Sequence, residues 1–183
     1  MVKKSVRDIM VGSSEYPQIP IDYSLKQAIH VFKKSVIAGE RCIKPIVALV
    51  FKGNKIAGTL RMRDIIRGLE PNFLKHAQKA QGFIGDRSEL SIIWDSLFDE
   101  GSKRIAERPV TECIEPIKAI LEPGDSIVKA AYTMINNDLI VVPVLENGEK
   151  LVGVVRMLEV FDELSSNVLE DFPDNIVDLK VQA

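Results

Sequence analysis

The sequence is poor in the side chains that most catalytic and metal sites require. Its 183 residues include only two histidines and two cysteines, Cys42 and Cys113, which lie far apart. These are too few for a Ser-His-Asp or Cys-His catalytic set, and too widely spaced for a zinc site or a disulfide framework. No glycine-rich phosphate loop is visible. We therefore expect a protein that is not an enzyme, with no catalytic residues, no metal site and no required cofactor.

Long apolar runs and an excess of charge of one sign are also absent. No segment approaches the roughly 20 apolar residues that span a bilayer, and residues 1–5 are not followed by the apolar stretch of a signal peptide. The net charge is −2, with acids and bases mixed along the chain, which gives no electrostatic footprint for nucleic acid. We expect a cytoplasmic protein that binds neither nucleic acid nor membrane.

What the sequence does contain is a tandem repeat. Residues 6–69 align with residues 110–164, and both copies end on the same pattern, Gly-x-x-Arg-Met-x-acid. This pattern, called here the closing turn, occupies residues 58–64 in the first copy and 153–159 in the second. Each copy also opens on a related segment, Val-Arg-Asp-Ile-Met from residue 6 and Val-Thr-Glu-Cys-Ile from residue 110.

A helix is predicted to begin at Ser24 in the first copy and at Ser126 in the second. Ser24 and Gln27 fit a capping box, in which the serine oxygen accepts a backbone N–H that the helix leaves unpaired. Ser126, or Asp125 beside it, can cap the second helix in the same way. Both helices carry apolar residues at the spacing of one buried face. These are Leu25, Ala28, Ile29 and Phe32 in the first copy, and Ile127, Ala130, Ala131 and Met134 in the second.

Strands are predicted on both sides of this helix. The apolar runs are residues 19–21, 43–51 and 56–60 in the first copy, and 119–121, 139–145 and 151–155 in the second. The last two runs of each copy are joined by turns at residues 52–55 and 146–149, and the Asn-Gly pair in the second is a strong hairpin signal. Pro45 and Pro143 are taken as equivalent, near a strand start where proline is tolerated.

A second helix closes each copy, directly after the returning strand. Its predicted buried stripe is Met62, Ile65, Ile66 and Leu69 in the first copy, and Met157, Val160, Phe161 and Leu164 in the second. Each copy is thus a small α/β unit of strand, helix, hairpin and helix. Units of this size bury little surface alone, so we expect the two copies to share a core and to face a common cleft with equivalent residues.

The repeat suggests four segments along the chain. The two copies are assigned to residues 1–69 and 110–164, separated by a helical insert at 70–109 and followed by a tail at 165–183. Within the insert, helices are predicted at residues 72–81 and 88–108. Trp94 lies on the apolar face of the second of these helices, which is a candidate subunit interface.

The pattern resembles the CBS domain pair, named after cystathionine β-synthase and also called the Bateman module. The resemblance rests on the Val-x-x-Ile-Met opening at residue 6, the Pro-Ile-Val and Pro-Val-Leu strands, and the two closing turns. It implies two β-α-β-β-α units packed sheet to sheet with pseudo-twofold symmetry, in a stand-alone CBS-domain protein. It also implies a regulatory homodimer that binds an adenosine-containing ligand, such as AMP, ADP, ATP or S-adenosylmethionine, and signals to an unidentified regulated protein.

The resemblance also implies a role for the closing turns. The acids, Asp64 and Glu159, would hold the ribose hydroxyls, because a carboxylate accepts two hydrogen bonds from a cis-diol. The family pattern has threonine or serine where this sequence has Arg61 and Arg156, and two interpretations are open. Either the arginines bind phosphate, or each pairs with its own acid at i, i+3. In the second case the clefts are closed, and the protein is a ligand-free dimerisation module.

Four further residues are candidates for the ligand site. Ile46, Val142 and Val144 would wall an adenine pocket, or would simply be core residues. Lys44, which aligns opposite Val142, would reach a phosphate or would be a solvated surface lysine.

Overall fold

The computed structural model describes residues 4–35, 46–69 and 102–169. The helices are α1 (Val6–Ile9), α2 (Leu25–Lys34), α3 (Met62–Gly68), α4 (Ser102–Ile105), α5 (Ile127–Asn137) and α6 (Met157–Val168), with a 3-10 turn at Val110–Glu112. The strands are β1 (Val11–Gly12), β2 (Gln18–Pro20), β3 (Val47–Lys52), β4 (Lys55–Arg61), β5 (Val141–Glu146) and β6 (Lys150–Arg156).

The chain forms two compact α/β units, each with one three-stranded sheet. The first-repeat unit is Ser14–Lys118, and the second-repeat unit is Met1–Ser13 together with Ala119–Ala183. The predicted helix at 72–81, most of the one at 88–108 with Trp94, the tail beyond residue 169, Cys42, Lys44 and Pro45 lie outside the described residues. Of the predicted 88–108 helix, the described part holds α4, which ends at Ile105.

In the first-repeat unit, β3 lies between β2, to which it is parallel, and β4, to which it is antiparallel. The predicted capping box of α2 is confirmed: the Ser24 N–H donates to Gln27 Oε1 at 2.8 Å, and the Gln27 N–H donates to Ser24 Oγ at 3.4 Å. The predicted apolar stripe of α2 is also confirmed, since Leu25, Ala28 and Phe32 all lie in the core of this unit.

In the second-repeat unit, β6 lies between β1 and β5 and is antiparallel to both. Ser126 Oγ caps α5 by accepting the Lys129 N–H at 3.1 Å, as predicted. The hairpin is also confirmed, because Asn147 and Gly148 both have positive φ, 53° and 71°, as a tight type I′ turn requires. The strand predicted at 119–121 is reduced to a single parallel bridge between Leu121 and Val144.

The opening segments of the two repeats are exchanged between the units. The Val6 N–H donates to the Asp125 carbonyl at 2.8 Å, and the equivalent Val110 N–H donates to the Tyr23 carbonyl at 2.9 Å. Both valine side chains are fully buried, Val6 in the core of the second repeat and Val110 in that of the first. The predicted limits of the two copies, 1–69 and 110–164, follow the order of the repeat along the chain. In the structure, each core is completed by the opening segment of the other copy.

The exchanged segments explain the glycine that begins each closing turn. The backbone at Glu115 pairs with Thr59, so a Cβ on Gly58 would meet the Glu115 carbonyl oxygen at 2.4 Å. In the second repeat β1 pairs with β6, and a Cβ on Gly153 would meet the Val11 carbonyl oxygen at 2.7 Å. Glycine is therefore required at these positions by the close approach of a neighbouring backbone.

The prediction was wrong at one position in the stripe of each closing helix. Ile66 and Phe161 are each 64% exposed, whereas Ile65 and Val160 beside them are buried. With 3.6 residues per turn, neighbouring residues point about 100° apart. The buried stripe is centred near Ile65 and Val160, so the next residue falls outside it.

Candidate functional site: the two closing turns

The closing turn of the first repeat places an arginine and an acid at the junction between a strand and a helix. β4 ends at Arg61, which is also the N-cap of α3, and Asp64 is the third residue of that helix. Asp64 Oδ2 accepts the backbone N–H of Arg61 at 3.1 Å, which satisfies an amide that the helix itself leaves unpaired. The helix start thus fixes the carboxylate directly beside the arginine side chain.

The Arg61 side chain is held by two carboxylates. Its Nε donates to Asp64 Oδ2 at 2.6 Å and its Nη2 donates to Asp64 Oδ1 at 2.9 Å, and Nη2 also donates to Glu115 Oε1. The side chains of Arg61 and Asp64 are only 15% and 6% exposed. The hydrogen bond to Asp64 raises the pKa of the Arg61 guanidinium, against burial, and Glu115 adds to that rise. Arg61 therefore remains charged and tightly paired.

The closing turn of the second repeat has the same local geometry. The Arg156 N–H and its Nε donate to Glu159 Oε2 at 3.1 and 3.0 Å, and Nη2 donates to Oε1. The two side chains are 17% and 18% exposed. The longer glutamate reaches the same cap position as Asp64, so both i, i+3 pairs of the second interpretation are present.

The two turns differ in what the exchanged segment brings to them. Glu115 bridges Thr59 in the first-repeat unit, and Val11 pairs with the equivalent Val154 in the second-repeat unit. The exchanged segment therefore carries a carboxylate, Glu115, in the first-repeat unit and an apolar side chain, Val11, at the equivalent position in the second-repeat unit. No sequence signal associates Glu115 with the closing turn, because it lies 54 residues from Arg61.

Ile46 is half-exposed, at 54%, immediately before β3, and its carbonyl accepts the N–H of Met62 at 3.0 Å. The same position in the second repeat is Ile140, which is 40% exposed and accepts the N–H of Met157 at 2.8 Å. Ile140 was not among the predicted site residues. Counting back from the repeated closing turn would have found it, allowing for one extra residue in the second hairpin.

The alignment of Pro45 with Pro143 was therefore wrong. Pro143 pairs with Val154 and Leu49 pairs with Thr59, which makes Pro143 the equivalent of Leu49. Pro143 lies within β5, at the edge of the assigned sheet, where a missing N–H is tolerated.

The other predicted ligand residues have different surroundings. Val142 and Val144 are fully buried in the core of the second repeat, as the core interpretation predicted. Lys44 lies outside the described residues. Of the eight predicted site residues, the structure thus places two arginine–acid pairs at the closing turns and Ile46 on the surface beside the first.

Among residues 4–35, 46–69 and 102–169, no group of three or more histidine, cysteine, aspartate or glutamate side chains is arranged to hold a metal ion. No helix in that part of the chain is long and apolar enough to span a membrane.

The second repeat matches a known protein family. The CBS domain family model matches residues 108–166. No match was found among curated proteins. A CBS domain-containing protein of unknown function from Bacillus anthracis str. Ames Ancestor has a similar fold, with a TM-score of 0.61 at 17% identity, covering 89% of this chain and 94% of that one.

Two structures with bound nucleotide are also similar. CBSX2 in complex with AMP aligns with a TM-score of 0.57 at 14% identity, covering 90% of this chain and 98% of that one. The cytosolic domain of the Mg2+ channel MgtE in complex with ATP aligns with a TM-score of 0.53 at 16% identity, covering 84% of this chain and 46% of that one. The second repeat thus matches the CBS domain family, and the chain as a whole has the fold of CBS-domain proteins.

Proposed function

We propose that the chain is a regulatory module that binds an adenine nucleotide at its closing turns and signals to a partner protein. The observation that carries the proposal is the arginine–acid pair at the strand-to-helix junction of each repeat. A guanidinium forks onto phosphate oxygens, and a carboxylate accepts hydrogen bonds from a ribose diol. Similar folds occur in structures that contain AMP and ATP, which supports this choice of ligand.

Binding would require the pair to open. Asp64 already accepts three hydrogen bonds from Arg61, out of about four that a carboxylate can accept. A bound nucleotide therefore has to break this pair. Its phosphate would take the place of the Asp64 carboxylate at Arg61, and its ribose hydroxyls would take the place of Arg61 at Asp64. Because more phosphate charge compensates this exchange better, we expect affinity to rise from AMP to ADP to ATP.

A ligand-free dimerisation module is the second candidate. It is favoured by the same pairs, because each guanidinium is already paired with a carboxylate within the chain. Breaking a buried ion pair without replacing it costs about 3–5 kcal/mol, which would keep the turns closed. The two candidates differ in whether any nucleotide stabilises the protein.

A thermal-shift series with AMP, ADP and ATP tests the proposal. We expect at least one nucleotide to raise the melting temperature, since a ligand at 100 times its Kd adds about 2.7 kcal/mol. Replacing both acids, in the double variant Asp64→Ala with Glu159→Ala, should remove the response. Glu149→Ala is the control, because Glu149 is an exposed acid in the β5–β6 turn. The absence of any response from the wild-type protein would decide for the ligand-free module.

We also propose that the protein is a homodimer that joins through its second-repeat helices. Val128, Tyr132 and Ile135 are 63–73% exposed along one face of α5, and Phe161 is equally exposed on α6. Exposed apolar groups at helical spacing are typical of an interface. A second copy of the chain is the occupant that the family resemblance implies.

Light scattering after size exclusion measures this directly. Tyr132→Asp should convert the dimer to a monomer by placing a charge on the apolar face. His30→Asp is the matched control, because His30 is the exposed residue at the equivalent position of α2. A monomeric wild-type protein, or a dimer unaffected by Tyr132→Asp, would contradict this interface.

A further inference from the structure

The two closing turns have the same local pattern but different neighbours. Arg61 donates to Asp64 and to Glu115, whereas the hydrogen bonds of Arg156 run to Glu159. The difference comes from the exchanged segments, where Glu115 and Val11 take equivalent places beside β4 and β6. Each repeat therefore receives from the other a side chain that decides how firmly its arginine is held.

Freeing Arg61 would be costly. An anion that drew its guanidinium away would leave two carboxylates without their partner, one of which, Asp64, is only 6% exposed. Removing one member of a buried ion pair leaves an uncompensated charge, which strongly opposes the change. At the second turn, moving Arg156 away would leave only one carboxylate without its partner. That carboxylate belongs to Glu159, which is more exposed, at 18%.

Two basic side chains near the first turn would, by contrast, favour anion binding there. Arg63 lies 3.9 Å from Asp64 Oδ1, and Lys118 lies 3.5 Å from Glu115 Oε2. These bases attract anions in general, but their side chains are 62% and 45% exposed, and solvent screens such pairs strongly. They do not remove Arg61 from its two acids, so the local pairing decides.

We infer that the two closing turns have different roles. The first is a permanent clasp, in which Arg61 ties the exchanged segment to its unit through Glu115. The second is the turn whose arginine, Arg156, exchanges its carboxylate for a nucleotide phosphate. The second role rests on the proposed function, whereas the clasp does not.

Side-chain NMR of the arginine Nε–H groups in the full-length protein tests both roles, with Arg61→Lys and Arg156→Lys used to assign the two signals. Without ligand, the Arg61 Nε–H should exchange with water roughly tenfold more slowly than that of Arg156. The reason is that the additional charge-assisted hydrogen bond from Arg61 Nη2 to Glu115 restrains the whole guanidinium and makes its opening more costly. Added ATP should shift the Arg156 signal and leave that of Arg61 unchanged.

Two variants reverse the difference between the turns. Glu115→Val should speed the exchange of the Arg61 Nε–H and allow ATP to shift its signal. Val11→Glu should slow the exchange at Arg156 and abolish its response to ATP. Glu115→Gln provides a milder form of the first change, if the valine variant fails to fold.

The possible outcomes separate this inference from the proposed function. If ATP shifts the Arg61 signal, alone or together with Arg156, the nucleotide proposal stands and the inequality of the turns is wrong. If ATP shifts neither signal, the nucleotide proposal and the role of Arg156 fail together, and the clasp is judged by the exchange rates alone. Equal exchange rates at the two arginines would overturn the clasp.

Discussion

At the scale of single residues, the glycines of the closing turns matter because they carry no side chain where a neighbouring backbone lies close. The positive-φ glycines among the described residues are Gly53 and Gly148, so Gly58 and Gly153 do not need the conformational freedom of glycine. They lie instead under a neighbouring backbone that approaches within 3 Å of where a Cβ would be. A carbonyl group held in a strand pair cannot move aside as a flexible side chain can.

Gly58→Ala should therefore destabilise the first-repeat unit. We expect a loss of about 1–3 kcal/mol in the free energy of unfolding, the usual cost of forcing extra volume into a packed site. Gly124→Ala is the matched control, because no atom lies within 4 Å of its Cβ position. Urea denaturation measures both changes. Equal effects of the two substitutions would show that the close approach at Gly58 is not what matters.

The acids of the closing turns should also differ in their effect on stability. Asp64→Asn weakens a pair whose acid is only 6% exposed, whereas Glu159→Gln weakens a pair whose acid is 18% exposed. We expect Asp64→Asn to cost about 1–3 kcal/mol and Glu159→Gln to cost less. A larger loss for Glu159→Gln, measured by chemical denaturation, would contradict the burial argument.

At the scale of secondary structure, helix starts were the most predictable features. A serine whose hydroxyl can accept the backbone N–H three residues later is a local signal of a helix start. This signal located the starts of both helices, at Ser24 and Ser126. The buried stripes of α2 and α5 followed from spacing within one helix. The error at Ile66 and Phe161 is also of this kind, since the width of a buried stripe is set by the sheet beneath the helix and not by the helix itself.

The short helix α1 depends on an acid in its first turn. The backbone N–H of Ser5 donates to Asp8 Oδ2 at 2.7 Å, and the Ser5 hydroxyl donates to the same oxygen at 2.8 Å. These hydrogen bonds, the backbone one first, lower the pKa of Asp8 below its ordinary value of 3.8. The ionised carboxylate is thus the form that supports α1.

Asp8 should therefore contribute stability that is lost in acid. A lowered folded-state pKa gives stability that is present above the ordinary pKa and disappears as the pH falls through the folded-state value. The wild type should be more stable than Asp8→Asn at pH ~7, and the difference should narrow as the pH is lowered to ~2. Asp162→Asn, at an exposed position of α6, is the control. Denaturation curves that show the same gap at both pH values would exclude the carboxylate as its source.

At the scale of the whole molecule, the exchange of opening segments was beyond the reach of the sequence. The repeat shows that residues 6–10 and 110–114 are equivalent, but either arrangement of the two segments satisfies the same pattern. Only long-range contacts distinguish them, such as Val6 with Asp125 and Val110 with Tyr23. The same limit explains why Glu115 was missed: the residue that completes one closing turn is supplied by the start of the other repeat.

Substitution of the two equivalent valines tests the exchange. Val6→Ala and Val110→Ala should each cost about 2 kcal/mol, because both side chains are fully buried. Amide hydrogen exchange should quicken in β5, β6 and α5 for Val6→Ala, and in β3, β4 and α2 for Val110→Ala. The reverse pattern would show that each repeat keeps its own opening segment.

The exchange also sets an order of events on the ribosome. The first repeat emerges with its strands and helices complete by residue 69, yet its core lacks Val110 until the chain has grown by some forty residues more. Val6 has no backbone partner until Asp125 is made, and β1 has none until β6 is made, because Val11 and Gly12 pair with Val154 and Gly153. The nascent chain must therefore leave β1 unpaired until β6 has been made, and the first-repeat unit can close only once Val110 has followed.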